Sequence, residues 1–131
     1  MSSLTILVTA ANFAFRHAAT EWLLSHDGIG EVCTAQSLTE ASAAVQARPF
    51  DVVFVDARLP DMESVVETRQ LKRGPFSPRV VLMTLDDVRF YHDVVAELGL
   101  DGVITKFRFG DEVTKFLAAP PWNMKKEPET I

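Results

Sequence analysis

A carboxylate, a hydroxyl and an ammonium stand at matching positions along this sequence. Asp56 follows the apolar run Val52–Val55, Thr84 ends Val80–Met83, and Lys106 comes just after Gly102–Thr105. A carboxylate oxygen can attack phosphorus, while a hydroxyl and an ammonium hold the equatorial oxygens of the group being transferred. Singly, each residue reads as the polar end of a strand. Their common placement, one after each of three apolar runs, points to a shared site and to phosphoryl chemistry.

Such a site needs elements that bring separate chain ends to one edge. Short runs rich in Val and Ile recur at Leu4–Thr9, Glu31–Ala35, Asp51–Asp56, Arg79–Thr84 and Gly102–Thr105. They do not alternate apolar with polar, which predicts strands covered on both faces. Helix-period segments lie between them. Phe15, Ala18, Ala19 and Trp22 predict the apolar stripe of a first helix. Ser37 and Glu40 make a capping box before a second, striped by Leu38, Ala41, Ala44 and Val45. A third runs from about Glu63 to Arg73 and stops at Gly74-Pro75. Asp86-Asp87 open a fourth, with Tyr91, Val94, Val95 and Leu98 as its buried stripe and Gly99 as its stop. Val113, Phe116 and Leu117 mark a short fifth. Strict strand–helix alternation predicts an α/β domain with a parallel five-stranded sheet, right-handed crossovers and helices on both faces.

In such a sheet ligands bind beyond the carboxyl ends of the strands. That rule nominates Thr9-Ala10-Ala11-Asn12, Asp56 onward, Thr84 onward and Lys106. No GxGxxG or GxxxxGK[ST] loop follows the first strand, which counts against nucleotide binding.

The chain has 131 residues, 47% of them hydrophobic and 24% charged, in keeping with one globular domain. The expected division is a domain over 1–119 and an extended or disordered tail over 120–131, where Lys125-Lys126 is a solvated pair. Thirteen Lys and Arg against eighteen Asp and Glu give a net charge of −5, which argues against nucleic acid or an anionic membrane as partner. No segment has the length of a membrane helix or the pattern of a signal peptide, so a cytoplasmic location is expected. Cys33 is the one cysteine, excluding an intrachain disulfide and reading as a small buried hydrophobe of the second strand. His17, His26 and His92 lack metal-ligand spacing. Phe90 falls off the buried stripe of its helix and is a candidate partner contact.

Three segments, PFDVVFVDARLPDM (Pro49–Met62), RVVLMT (Arg79–Thr84) and GLDGVITK (Gly99–Lys106), together resemble the receiver domains of two-component response regulators over about residues 4–118. The resemblance implies a flavodoxin-like, doubly wound (βα)5 sandwich with strand order 2-1-3-4-5. It implies Asp56 as phosphoacceptor, a Leu59-Pro60 turn after it, Thr84 as switch hydroxyl and Lys106 as phosphate-binding ammonium. It also implies Mg²⁺ at the acceptor, a histidine kinase or downstream signalling protein as partner, and a monomer or weak homodimer. No enzymatic activity is implied beyond phosphoryl transfer to Asp56 itself.

The sequence departs from that pattern at several places. The acidic pair that receivers carry after the first strand is replaced by Ala10-Ala11, and Glu21 is the first acidic residue of the chain. A single carboxylate among neutral neighbours offers a hard cation little, so Mg²⁺ binding is expected to be weak or absent. Asp86 or Asp87 turning inward is an alternative ligand source, capping the fourth helix being their ordinary role. Val103 stands where the family has an aromatic residue, and Phe107 replaces the proline that makes a cis turn. Leu85 takes the place of a small residue after Thr84. Together these changes predict an atypical receiver that works mainly by protein–protein recognition, with phosphorylation of Asp56 weak or absent. The alternatives are a conventional phosphoaccepting receiver, including the N-terminal part of a longer regulator, and a strand-end pocket for a non-phosphate ligand.

Overall fold

The computed structural model describes residues 3–58, 65–73 and 75–118. Along these, five strands alternate with five helices: β1 (Leu4–Thr9), α1 (Phe13–Leu24), β2 (Ile29–Ala35), α2 (Leu38–Ala47), β3 (Val52–Asp56), α3 (Val65–Lys72), β4 (Arg79–Thr84), α4 (His92–Leu98), β5 (Gly102–Thr105) and α5 (Phe109–Ala118). Short 3-10 turns over Val88–Tyr91 and Lys106–Arg108 precede α4 and α5. The Leu59-Pro60 turn, Glu63 and the tail from Pro120 lie outside the described residues. No described helix is long and apolar enough to cross a membrane.

The strands form one parallel sheet of order β2-β1-β3-β4-β5. Its period of two is hidden in the sequence because both faces are covered, but it is plain in the packing. Ile6, Val8, Val52, Phe54, Val81, Met83 and Ile104 point to one face, where they meet Ala19 and Leu23 of α1 and Phe109 and Val113 of α5. Leu7, Val53, Val55, Val80 and Leu82 point to the other, against Leu38, Ala41 and Val45 of α2, Leu71 of α3 and Leu98 of α4. Each Val, Leu, Ile, Phe or Met side chain so removed from water is worth about 1.5–3 kcal/mol.

Two expected helix stripes are re-phased. In α1 the buried positions are Arg16, Ala19 and Leu23, with Phe15 and Trp22 half-buried, and Ala18 is exposed. In the fourth helical segment Asp87 accepts from the Arg89 N–H and caps the 3-10 turn, so the α-helix starts only at His92. The tighter turn rotates Val94 outward, to 38% exposure, and leaves Tyr91, Val95 and Leu98 on the sheet. Gly99 closes α4 in the left-handed conformation (φ 70°), which glycine adopts without steric cost. The second strand begins at Ile29, two residues before the expected start. The third begins at Val52, because the Asp51 carboxylate accepts from the Thr5 N–H at 2.8 Å.

Asp101 pins the far end of the sheet. Its carboxylate takes the Lys72 ammonium at 2.7 Å, Arg79 at 3.5 Å and the Val80 N–H at 2.7 Å, joining α3 and β4 to the start of β5. On the other face α1 and α5 approach closely. A Cβ at Gly110 would sit 2.9 Å from the Trp22 ring, and His26 bonds the Thr114 hydroxyl at 3.2 Å.

Gly110→Ala should therefore lower stability by about 1–2 kcal/mol, the overpacking cost exceeding the gain in helix propensity. Urea denaturation checks this. A variant as stable as the parent would show that Trp22 gives way freely.

Candidate functional site

Asp56 is the last residue of β3, in phase with Val52 and Phe54, and 5% exposed. Its Oδ1 accepts from the Arg58 N–H at 3.0 Å and its Oδ2 from the Lys106 ammonium at 2.8 Å. Lys106 opens the 3-10 turn after β5, a turn capped by the Thr105 hydroxyl accepting from the Phe107 N–H. Its side chain is 11% exposed, and its ammonium lies 4.4 Å from the centroid of the Phe15 ring. The sheet thus brings Asp56 and Lys106 into direct contact. Burying either charge alone is costly, and their mutual attraction offsets part of that cost.

Thr84 is fully buried but in phase with Leu82, toward the α2–α4 face. Its hydroxyl accepts from the Asp86 N–H at 2.9 Å. The three residues share an edge, then, with Asp56 and Lys106 joined and Thr84 engaged in its own turn.

At the end of β1, Ala10 is buried and donates its N–H to Ala35, while Ala11 is exposed. Asn12 caps α1 by accepting from the Phe15 N–H. Arg16, 9% exposed, donates from Nη1 to the carbonyls of Ala10 at 2.7 Å and Ala11 at 3.0 Å. Arg16 was not singled out by its sequence, and Phe15 only as core. The signal for Arg16 is a charge in register with Ala19 and Leu23 on the buried side of α1.

The acidic residues after β4 have partners of their own. Arg89 bonds the Asp87 carboxylate through side chain and backbone and holds its pKa down to about 2. Asp86 accepts from the Tyr91 hydroxyl at 3.4 Å. Among the described residues no three His, Cys, Asp or Glu are grouped so as to hold a metal ion. Val103 is half-buried against the α2–α4 cluster. Phe107 and Phe90 are exposed at 78% and 76%, and Leu85 at 39%. Cys33, on the edge strand β2, is half-buried against the α2–α4 cluster rather than in the core, and Arg48 reaches its sulfur at 3.6 Å while pairing with Glu31.

A parallel sheet of order 2-1-3-4-5 with polar residues gathered at its carboxyl edge defines the flavodoxin-like doubly wound class. Within that class, the response regulator receiver domain family matches residues 6–117, and the chain belongs to it. It is a receiver domain of two-component signalling. Among solved structures it is similar to the Vibrio cholerae chemotaxis protein CheY4, with a TM-score of 0.75 and 21% identity over 88% of this chain and 97% of that one. It is also similar to CheY6 of R. sphaeroides, solved in complex with the P1 domain of CheA3, with a TM-score of 0.74 and 18% identity over 91% and 100% of the two chains. A response regulator from Burkholderia pseudomallei, solved with a phosphorylated aspartic acid, calcium and citrate, has a TM-score of 0.75 and 19% identity over 96% and 73%. At these identities the likeness is one of fold. No curated protein sequence matches the chain significantly.

Removing one member of the buried pair leaves the other uncompensated. Lys106→Met should cost about 3–5 kcal/mol in urea denaturation, and adding Asp56→Asn should recover most of it. Equal losses in the single and double variants would mean the two charges are solvated independently.

Proposed function

We propose that this chain is an atypical receiver, acting in two-component signalling mainly by protein–protein recognition, with phosphoryl transfer to Asp56 slow or absent. The observation that carries this reading is a lone acceptor carboxylate, bonded by Lys106 and by the Arg58 N–H, beside uncharged residues at the end of β1. Mg²⁺ demands a near-octahedral shell of oxygen ligands. Ala10 and Ala11 supply no side-chain oxygen, and the Asp56 carboxylate is already neutralised by an ammonium. The donor set does not fit the ion.

For Asp56 to accept a phosphoryl group, a carboxylate oxygen must form the new bond to phosphorus. The donor's own bond to phosphorus breaks, and its leaving group takes the electron pair. Lys106 would serve the phosphoryl oxygens only by leaving the nucleophile it neutralises. Without a bridging divalent ion to stabilise the transferring charge, that exchange is slow.

Recognition is supported by the exposed apolar side chains Leu85, Phe90, Val94 and Phe107, which lie on the segments following β4 and β5. The partner is a histidine kinase or a downstream signalling protein in the cytoplasm, met by a monomer or weak homodimer. The negative net charge keeps nucleic acid and anionic membranes off this domain.

The test is incubation with acetyl phosphate and Mg²⁺, followed by intact mass and peptide mapping. No adduct on Asp56 is expected over the time in which a conventional receiver is modified. A Mg²⁺-dependent adduct at Asp56 would overturn the reading in favour of a conventional phosphoacceptor. The reciprocal experiment restores the acidic pair. Ala10→Asp with Ala11→Asp should lower the Tm without metal through like-charge repulsion. Mg²⁺ at a hundred times its Kd should then return about 2.7 kcal/mol by mass action and permit modification of Asp56. A folded double variant with neither response would place the defect beyond the acidic pair.

A further inference from the structure

The Lys106 ammonium has a second neighbour besides Asp56. Asp56 Oδ2 lies 2.8 Å away, and the Phe15 ring centroid is at 4.4 Å. That is inside the ~6 Å over which an aromatic face attracts a cation, and the attraction strengthens where water is excluded. Water is largely excluded here, since the Lys106 and Asp56 side chains are 11% and 7% exposed.

Phe15 is braced. Its N–H donates to the Asn12 side chain at the start of α1, and its ring packs edge-on against Phe109 at 5.7 Å and 87°. Phe109 is buried and held edge-on by Phe54 of β3 and Trp22 of α1. A lysine stem has many rotamers and a strongly hydrated head. A fixed ring beneath that head selects the rotamer that meets the carboxylate.

We propose that Phe15 is a positioning residue of the Asp56 site. Its ring face, braced by Phe109, holds the Lys106 ammonium against the carboxylate, so that a cation built into the chain neutralises the buried acceptor. This inference rests on the reading of Asp56 as a site without a bound divalent ion, and its test does not depend on phosphorylation.

Two measurements decide it. In the wild-type protein the Lys106 ammonium lies over the Phe15 ring at 4.4 Å from its centroid, and the ε-methylene is one bond from it, so NMR should find the ε-methylene protons shifted upfield by the ring current. Phe15→Tyr keeps the face and should keep the shift, whereas Phe15→Leu should lose it. Under limiting acetic anhydride, mapped by peptide mass, Lys106 should be acetylated roughly 5- to 30-fold faster in Phe15→Leu, the factor given by losing a cation–π contact of about 1–2 kcal/mol. Phe15→Tyr should stay near the wild-type rate. Phe109→Leu, which removes the brace but leaves the Phe15 ring in place, should raise it by a smaller factor than Phe15→Leu does. Ordinary ε-methylene shifts in the wild-type protein would overturn the proposal. So would wild-type acetylation in Phe15→Leu, or acceleration in Phe15→Tyr equal to that in Phe15→Leu. Should Phe15→Leu not fold, the wild-type ring-current shift decides alone. A phosphoryl adduct on Asp56 would sink the metal-poor reading and leave these shifts as they are, so the two failures are distinguishable.

Discussion

A carboxylate at the end of β3 is buried almost completely, and the cation that compensates it comes from beyond β5, two strands away. That ion pair constrains much of the molecule. β4 must lie between them, with Asp56 level with Met83 and Thr84 level with Thr105, for the Lys106 side chain to arrive at Asp56 Oδ2. A slip of β5 by one residue would turn Lys106 to the opposite face and leave the acceptor charge without its partner. A buried pair of this kind adds little net stability against an apolar alternative. Its contribution here is alignment: the strand ends, the 3-10 turn after β5 and the start of α1 are all held to one arrangement.

The two faces of the sheet are made of different material around this pair. On the α1–α5 side the packing is aromatic, with Phe15, Trp22 and Phe54 each set edge-on against Phe109. On the α2–α4 side it is largely aliphatic, and Val103 is part of it. A branched three-carbon side chain has no ring to swing between alternative rotamers. The ring that lies against the Lys106 ammonium, Phe15, belongs to the other face.

Much of this was legible in the sequence, for identifiable reasons. The ends of β1, β4 and β5 coincide with the ends of apolar runs, because strands covered on both faces must stop where polar residues begin. The gathering of Asp56, Thr84 and Lys106 at one edge followed from their shared position past three such runs, whereas the direct contact of Asp56 with Lys106 is seen only in the structure. Strand order did not follow from periodicity, which is the same for every arrangement of five parallel strands; it came with the resemblance of the motifs around Asp56, Thr84 and Lys106. Thr84 lies at the same edge but one residue out of phase with Asp56, a difference that runs apolar throughout cannot reveal. Val94 was misplaced because a capped 3-10 turn resets the helical phase ahead of α4. Arg16 escaped because stripe arguments count apolar residues, while a guanidinium that bonds the carbonyls of Ala10 and Ala11 is buried on the same stripe without being apolar.

The close approach of α5 to α1 has a consequence for how such a chain can change over generations. Gly110 leaves room for the Trp22 indole and for little else. A larger residue at 110 is tolerated only after the indole has been exchanged for something smaller, and that exchange opens a void beside Phe109 unless 110 has already grown. Positions 22 and 110 therefore form a linked pair, free to drift together and resistant to drifting singly. Among related sequences this contact should be marked by covariation between two sites 88 residues apart, with tryptophan retained where glycine is.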